Sequence, residues 1–184
     1  MAKIIADGLK GEMDVVLVHK LGAPGQPEFA IGAIDENGRV YLSDIVAELE
    51  ISAQYVAREQ AEQLETLRRR RAQYTPLRSP IDPSGRVVIV VDNGIATGAS
   101  MIAALRSIRE QSPAKLVAAV AVLPVSTLRE IRKYADEVVY LDAPEDFMAV
   151  GQYFDDFSQV TDERVIEVLE SVRAGERLKE NSVP

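Results

Sequence analysis

Residues 86–100 read RVVIVVDNGIATGAS, and this stretch decides the fold. Its first half, Val87–Val91, is an apolar and β-branched run with the length of a buried strand. A polar turn at 92–94 follows, and beyond the small residues of 97–100 the apolar residues return at helical spacing. The stretch therefore predicts a buried strand that ends in an acidic residue, passes through a small-residue loop and enters a helix.

The loop of this unit has the composition of a phosphate site. A helix N-terminus carries unpaired N–H groups and a partial positive charge, and both favour an anion. Gly98 and Ala99 lack bulk, so the backbone can close around a phosphate, while Thr97 and Ser100 supply hydroxyl donors. Asp92, at the strand end, would hold the hydroxyl groups of an attached sugar. The alternative is an ordinary strand-to-helix turn in which glycine serves only the geometry.

Length and composition predict one globular domain. The chain has 184 residues, 47% of them hydrophobic, and can bury a core of its own; we place the domain at 1–173 and a polar tail at 174–184. The absence of cysteine excludes disulfides and cysteine nucleophiles, and the single histidine argues against a His-rich metal site. No apolar run has membrane-spanning length and no secretory signal opens the sequence, so we expect a cytoplasmic protein that does not bind membranes.

The charge balance narrows the choice of partners. A net charge of −8 argues against nucleic acid as a partner. It also makes any anion site depend on local groups, because the overall field repels anions. The one basic run, Arg68–Arg71, closes a long polar segment, and it can be interpreted as a solvated helix end or as a pyrophosphate contact.

Strands and helices alternate along the chain. Apolar runs predict strands at 15–18, 29–34, 39–42, 87–91, 115–123 and 137–141. Helices are predicted near 4–9, from Ser43 or Asp44 to about Tyr74, after residue 98, from a capping box at Thr127 and Glu130, and after Thr161. Residues 36–38 predict a hairpin turn, whereas 21–27, rich in glycine and proline, predicts an irregular loop.

This order of elements predicts an α/β fold. Its core would be a mostly parallel central sheet flanked by helices, with the β-hairpin and the long helix as an insertion. Ligands of such sheets bind beyond the carboxyl ends of the strands. That rule places His19 and Lys20, the 92–100 loop and the loop after Leu141 at one edge, where we expect them to form one pocket.

The 86–100 stretch resembles the loop with which type I phosphoribosyltransferases bind 5-phosphoribosyl-1-pyrophosphate (PRPP). That loop has an apolar strand, acidic residues, Thr-Gly and a hydroxyl residue in the same order. Residues 19–33, HKLGAPGQPEFAIGA, and 144–157, PEDFMAVGQYFDDF, are similar to segments of one subgroup of this family. The likeness therefore covers most of the chain, and it implies the Rossmann-like fold of that family.

The resemblance implies a role for each part of the site. Catalysis would depend on Lys20, beside the pyrophosphate, and on Asp92 and Asn93. The phosphate and ribose of PRPP would be bound by Asp92, Asn93, Gly94, Ala96, Thr97, Gly98, Ala99 and Ser100. A mobile cover would contain Gly22, Pro24, Gly25, Pro27 and Glu28. The acceptor would meet Phe147 and Tyr153, unless these rings pack under their own loop. Mg²⁺ would be carried by PRPP and not held directly by the protein.

The sequence departs from the family pattern in three places. Asn93 stands where a second acid is usual, and Ala96 stands where purine-salvage members carry an acidic general base. Relatives also place a strand and a Gly-rich loop just before a helix that matches 2–9, so we expect Met1 not to be the true start. That strand lies between the strands of Lys20 and Asp92, and its loss would leave two unpaired strand edges.

Three functions follow from these observations as alternatives. The first is phosphoribosyl transfer from PRPP to a nucleobase-like acceptor with release of pyrophosphate. This alternative is compatible with a homodimer. The second is a regulatory module that binds PRPP without catalysis, which the departures favour. The third is a serine hydrolase that uses Ser100 and His19; the stretch around Ser100 lacks the closing glycine of GxSxG, which argues against it.

Overall fold

A parallel sheet of three strands forms around the 86–100 stretch in the computed structural model, which describes residues 1–76, 80–158 and 160–180. Strand β4 (Val87–Gly94) pairs with β5 (Lys115–Val122), and β5 pairs with β6 (Glu137–Asp142). Both pairings are parallel, so the three carboxyl ends lie at one edge of the sheet. The predicted strands at 115–123 and 137–141 are confirmed within one residue.

Two helices follow these strands and cover the sheet. Helix α4 (Ala99–Arg109) comes after β4, and α5 (Val125–Ile131) comes after β5. Together with the sheet they bury the apolar core whose least exposed members are Leu105, Leu116, Ala118, Leu123 and Ile131. The protein therefore has an α/β fold with a parallel sheet flanked by helices, as the alternation of elements predicts.

The first half of the chain contains a second sheet, which is antiparallel. It contains β1 (Val18–Ala23), β2 (Gln26–Asp35) and β3 (Val40–Leu42), in that order. The predicted hairpin at 36–38 is confirmed. The fully buried carboxylate of Asp35 accepts hydrogen bonds from the backbone N–H groups of Asn37 and Arg39, both at 2.9 Å, and thereby fixes the turn.

Two predictions about the start of this sheet are wrong. The strand predicted at 15–18 begins only at Val18, and the loop predicted at 21–27 is part of a hairpin with a two-residue turn at Pro24-Gly25. Gly25 has a positive φ of 73°, which the turn requires. Glycine and proline here mark a bulged hairpin, whose strands change register on either side of Gly22, and composition alone does not distinguish such a hairpin from a loop.

The long helix predicted from Ser43 or Asp44 to Tyr74 is two helices. A short α2 (Ile45–Glu48) is followed by α3 (Ala53–Tyr74). Between them Glu50 adopts a positive φ of 49°, and the side chain of Ser52 accepts a hydrogen bond from the backbone N–H of Tyr55 at 3.2 Å. Ser52 is therefore the cap of the long helix, and the polar pair at 43–44 is not.

The terminal helices pack against the hydrophobic core of the antiparallel half. Helix α1 (Ala2–Leu9) has no buried residue, whereas α6 (Asp162–Glu180) contacts α3 and buries Leu169. The Thr161 hydroxyl accepts from the backbone N–H of Arg164, which confirms the predicted cap. Helix α6 continues to Glu180 and so includes most of the segment expected to be a polar tail, 174–184, of which 181–184 lie outside the described residues. Among the described residues, no helix is long and apolar enough to cross a membrane.

The two sheets are connected by packing and not by strand pairing. Helix α4 contacts β1 and β2 as well as β4 and β5, and Val16 and Val18 pack against the core of the parallel sheet. In the described chain β1 pairs only with β2, and β4 pairs only with β5. The expectation that the strand before His19 and Lys20 belongs to the parallel sheet is therefore wrong, because β1 belongs to the antiparallel sheet.

Arg71 joins helix α3 to two other parts of the antiparallel half. Its Nε and Nη2 atoms donate to the two carboxylate oxygens of Glu36, each at 2.5 Å, and Nη2 also donates to the Val15 carbonyl at 3.0 Å. Its side chain is only 17% exposed, whereas Arg68 and Arg69 of the same run are exposed. The end of α3 is thus partly solvated, as one interpretation of the arginine run expects, but Arg71 has a structural role.

Arg71→Ala should lower the free energy of unfolding by about 2 kcal/mol, because it leaves the half-buried Glu36 carboxylate and the Val15 carbonyl without their donor. Urea unfolding measures the change. Arg69→Ala, at an exposed position of the same helix, is the control and should change stability by less than about 0.5 kcal/mol. Equal losses in the two variants would show that the contact between Arg71 and Glu36 does not stabilise the fold.

Candidate functional site

The candidate site lies where β4 ends and α4 begins. Strand β4 extends to Gly94, so residues 92–94 continue the strand and do not form the predicted turn. The backbone N–H of Ile95 donates to the carbonyl of Val122 at 3.0 Å, which keeps the chain on the sheet one residue longer. The loop itself therefore spans only residues 96–98 and lies at the carboxyl edge of the parallel sheet, where ligands of such sheets bind.

The start of α4 presents unpaired backbone donors. Gly98 is the N-cap residue with a positive φ of 86°, and no side chain caps the helix. The first hydrogen bond of the helix runs from the N–H of Ile102 to the Gly98 carbonyl at 2.8 Å. Within the described chain, no group accepts a hydrogen bond from the backbone N–H groups of residues 97–101. The amides that would bind an anion are therefore free.

The side chains around these donors are small or polar. Thr97 and Ala96 are exposed, Ala99 and Ser100 are half-buried, and Gly98 is buried. Thr97 precedes the N-cap residue and Ser100 lies in the first turn of α4, so both hydroxyl-bearing residues belong to the segment that carries the free amides. The loop residues 96–98 are alanine, threonine and glycine, and none of them has a large side chain. This arrangement of donors suits an oxyanion such as a phosphate.

Asp92, near the end of β4, is the one carboxylate of residues 92–100. Burial raises the pKa of Asp92 above its ordinary value of 3.8, and the nearby backbone N–H groups of Asn93 and Gly94 partly offset this by lowering it. Asn93, the next residue, is exposed. Asp92 can therefore accept hydrogen bonds from the diol of a sugar, while the amide of Asn93 can bind a hydroxyl group without adding charge.

The loop after β6 lies at the same edge of the parallel sheet. Its residues 150–153 form a 3₁₀ turn, and Gln152 Oε1 accepts from the backbone N–H groups of Met148 and Ala149 at 3.1 and 2.8 Å. A Cβ atom on Gly94 would overlap Val150, which shows that this loop reaches the end of β4. Two of the three segments expected at one pocket, 92–100 and 143–158, are therefore neighbours.

The aromatic residues of this loop pair with one another. The rings of Phe147 and Tyr153 stack with centroids 5.8 Å apart and planes 10° apart, and Phe154 packs on Phe157 at 5.5 Å. Burial raises the pKa of the Tyr153 hydroxyl, and the carboxylates of Asp146 and Asp142 raise it further. Packing within the loop, one of the two interpretations of these rings, is thus observed, and contact with an acceptor stays a prediction.

Lys20 and the predicted cover lie in the antiparallel sheet. Lys20 is exposed at the centre of β1 opposite Ala33, and no described carboxylate pairs with its ammonium group. Gly22, two residues before the turn of the β1–β2 hairpin, donates from its N–H to Glu59 at 3.4 Å and accepts at its carbonyl from the Tyr55 hydroxyl at 3.0 Å. Pro24, Gly25 and Pro27 are exposed near the tip, and the side chain of Glu28 lies outside the described residues. Movement of the hairpin as a cover would have to accommodate the two bonds to α3.

The structure does not assemble a hydrolase pair. Ser100 lies in the first turn of α4, whereas His19 lies in β1 of the other sheet, where its Nδ1 is 2.9 Å from the Lys20 carbonyl oxygen. No hydrogen bond joins the two side chains in the described part of the protein. A serine nucleophile needs a base within hydrogen-bond reach, so the hydrolase alternative has no geometric support.

Comparison with known proteins identifies the family. Residues 1–157 match the family described as the phosphoribosyl transferase domain. The chain belongs to the phosphoribosyl transferase domain family.

Similar proteins agree with this membership. Two Mycobacterium tuberculosis proteins, from strains CDC 1551 and H37Rv, each carry the name "Putative phosphoribosyl transferase" and are 40% identical over 167 residues. The crystal structure of TT1426 from Thermus thermophilus is 45% identical and superposes with a TM-score of 0.75, covering 91% of this chain and 79% of that one. The match covers 90% of this chain but 38% of the mycobacterial proteins, so the chain spans well under half of their length.

Some supporting residues of this phosphoribosyl transferase domain were not predicted as such. The spacing of Thr127 and Glu130 predicts a capping box, but α5 begins at Val125 after Pro124, and the Thr127 hydroxyl instead donates to the Ala96 carbonyl at 2.6 Å. Its methyl group also lies close to Gly98, since a Cβ on that glycine would be 3.1 Å away. Thr127, in α5, thus supports the loop. Only its polar character at a buried helical position could have indicated this.

Asp92→Asn should stabilise the domain at pH 7. Because the folded-state pKa of Asp92 is raised, the folded state binds the proton more tightly than the unfolded chain does, and stability falls as the pH rises from 3.8 through the raised pKa. Above that interval the wild type retains the cost of a buried charge, which the neutral amide avoids. Urea unfolding of both proteins at pH 7 and near pH 3 measures this difference.

The advantage of the Asp92→Asn variant should disappear at the acidic end, where both states of the wild type are protonated. Asp155→Asn, at an exposed carboxylate, is the matched control for the loss of one charge. A variant that is less stable than the wild type at pH 7 would show that the ionised Asp92 carboxylate stabilises the fold.

Proposed function

We propose that this domain binds PRPP at residues 92–100 and transfers its ribose 5-phosphate group to a nucleobase-like acceptor, with release of pyrophosphate. The observation that supports the proposal is the set of free backbone N–H groups at 97–101, next to the carboxylate of Asp92. Free donors and one acid at the carboxyl edge of a parallel sheet match a phosphorylated sugar. Membership in the phosphoribosyl transferase domain family supports the same substrate.

In this proposal the 5-phosphate of PRPP binds at the start of α4. The free N–H groups and the hydroxyl groups of Thr97 and Ser100 donate to its oxygens. The partial positive charge of the helix N-terminus adds to this attraction. Local attraction matters here because the chain carries a net charge of −8 and repels anions at long range.

The proposed reaction is a displacement at C1 of the ribose. A nitrogen atom of the acceptor forms the new bond to C1 while the bond from C1 to the pyrophosphate oxygen breaks, and that electron pair leaves with the pyrophosphate. The acceptor nitrogen loses its proton to water, since Ala96 offers no base. Asp92 holds the ribose diol and stabilises the positive charge that develops on the sugar, so catalysis comes from positioning and electrostatics.

The remaining predicted residues would act on the pyrophosphate of PRPP and on the acceptor. Lys20 would compensate the charge of the departing pyrophosphate, which requires the β1–β2 hairpin to approach the 92–100 loop. Phe147 and Tyr153 form an aromatic surface at the same edge of the sheet, and a planar acceptor can stack on such a surface.

Mg²⁺ fits this site as a companion of PRPP. The described residues contain no cluster of three or more His, Asp or Glu side chains that could hold a metal ion, and residues 92–100 offer a single carboxylate, Asp92. A hard cation that keeps several waters and takes most of its ligands from a pyrophosphate suits such a sparse site. When bound, the ion would neutralise charge on the leaving group.

A regulatory module that binds PRPP without catalysis is the second candidate. Two observations favour it: Asn93 provides an exposed amide where the family has a second acid, and Lys20 lies in a different sheet from Asp92. Both candidates require the same phosphate site. They differ in pyrophosphate release, which only the enzyme would produce from PRPP and a mixture of nucleobases.

The double variant Asp92→Asn/Thr97→Ala tests the site that both candidates share. It removes the charge that holds the diol and one hydroxyl donor to the phosphate, so binding of Mg·PRPP should weaken by at least about 100-fold. Isothermal titration calorimetry measures the affinity, and a coupled assay measures pyrophosphate release. Glu65→Gln, at an exposed position of α3, is the control and should bind as the wild type does. Unchanged affinity of the double variant would exclude this site.

Gly98→Ala tests whether the left-handed residue before α4 forms the site. A positive φ of 86° costs a residue with a side chain about 1–2 kcal/mol, and the new Cβ would be 3.1 Å from Thr127. Gly85→Ala is the matched control, since Gly85 has a positive φ of 67° but open space around it. Thermal unfolding should show a loss of stability in both variants, whereas only Gly98→Ala should lose stabilisation by added Mg·PRPP.

A further inference from the structure

The contact between Val150 and Gly94 joins the two loops of the candidate site. Gly94, Val122 and Asp142 are partners in register across β4, β5 and β6, so they form one row near the carboxyl edge of the sheet. The loop after β6 leaves this row at Asp142 and returns to β4, where Val150 packs. It thereby crosses two strand spacings, about 10 Å, over the end of the sheet.

Gly94 is a glycine because Val150 occupies the space of its side chain. A Cβ atom on Gly94 would overlap Val150 Cγ1 and lie 3.0 Å from both Val150 Cγ2 and Val122 Cγ1. The φ of Gly94 is not positive, so the need for glycine comes from this close approach and not from the backbone conformation. The end of β4 therefore leaves space at Gly94 for one branched side chain, that of Val150.

The position of Val150 determines the position of the aromatic pair. Val150 is the first residue and Tyr153 the last residue of the 3₁₀ turn, and side chains three residues apart in such a turn lie on the same side. Tyr153 in turn stacks on Phe147. Gln152 Oε1 bonds the N–H groups of Met148 and Ala149, so the turn and the segment before it form one unit.

Gly94 also contributes to the electrostatics of Asp92. Its backbone N–H is one of the two that lower the pKa of the Asp92 carboxyl group against the effect of burial. The same residue thus contacts the aromatic loop through its Cα and the carboxylate of the sugar site through its N–H. A displacement of the backbone at Gly94 would therefore affect both the aromatic loop and the Asp92 carboxylate.

We infer that Val150 is a positioning residue that couples the aromatic loop, 143–158, to the PRPP site through Gly94. Through this contact the Phe147–Tyr153 pair keeps a defined place relative to Asp92, and occupation of 92–100 is transmitted to the loop. The inference rests on the proposed function, because it assigns to the aromatic loop the task of presenting the acceptor to C1 of bound PRPP.

A single tryptophan can report on the loop, since the chain contains none. Phe157→Trp places it where Phe157 packs near Gly151, next to Val150, and outside the residues assigned to PRPP or the acceptor. In this background, addition of Mg·PRPP should shift the emission of the tryptophan. Val150→Ala should abolish the shift while the calorimetric affinity for Mg·PRPP changes by less than about threefold, and Val150→Ile should retain the shift.

Gly94→Ala and the double variant Gly94→Ala/Val150→Ala complete the experiment. The added methyl group displaces Val150, so Gly94→Ala should weaken Mg·PRPP binding, and removal of the valine branches in the double variant should restore much of the affinity without restoring the emission shift. Met148→Ala, at an 83% exposed position of the same loop, is the control and should retain both affinity and shift.

The outcomes separate this inference from the proposed function. If the Phe157→Trp protein and the wild type show no heat with Mg·PRPP, the proposed function fails and the inference with it. If Mg·PRPP binds but the emission does not shift, or if Val150→Ala keeps the shift, the coupling is wrong and the proposed function stands. Equal affinity losses in Val150→Ala and Gly94→Ala would also overturn the inference, since Val150 would then merely support the PRPP loop.

Discussion

The left-handed conformation of Gly98 is the constraint on which the candidate site depends. It lets the chain turn from the end of β4 directly into α4 without a capping side chain, and this leaves the N–H groups of 97–101 free. A capping Ser or Asp at this position would itself satisfy one of these donors. The loop is held instead by a hydrogen bond from the Thr127 hydroxyl group, in α5, to the Ala96 carbonyl. The donors are thus fixed in place while they remain available to a ligand.

Electrostatics at this site work against the charge of the whole molecule. The chain has a net charge of −8, which includes the carboxylate of Asp92 at the site itself, and burial raises the pKa of that carboxyl group. Fixed backbone dipoles supply the attraction for an anion without adding a charged side chain. Lys20 belongs to the other half of the molecule, so the positive side chain expected near a pyrophosphate depends on how the antiparallel sheet lies against α4.

Much of the parallel half could be predicted, because its signals are local. The apolar runs at 87–91, 115–123 and 137–141 each form a strand, and the small residues at 97–100 begin a helix. The antiparallel half was predicted less well. There Gly22 and Pro27 belong to a bulged hairpin, and the left-handed Glu50 divides a helix that composition alone shows as continuous. The hairpin is stabilised by contacts distant in sequence, such as the Tyr55 hydroxyl on the Gly22 carbonyl, whereas the helix break depends on the left-handed Glu50 and on the cap that Ser52 provides.

The amino-acid sequence by itself determined the class of fold, the family resemblance and the position of the loop that carries the free amides, because each depends on residue types within a short window. Tertiary structure alone decided that Val150 packs against Gly94, that Thr127 supports the loop, and that Lys20 and Asp92 lie in separate sheets. These relations join residues far apart along the chain. Their geometry is set by how sheets, helix α4 and the aromatic loop pack, and no periodicity or spacing in the sequence records it.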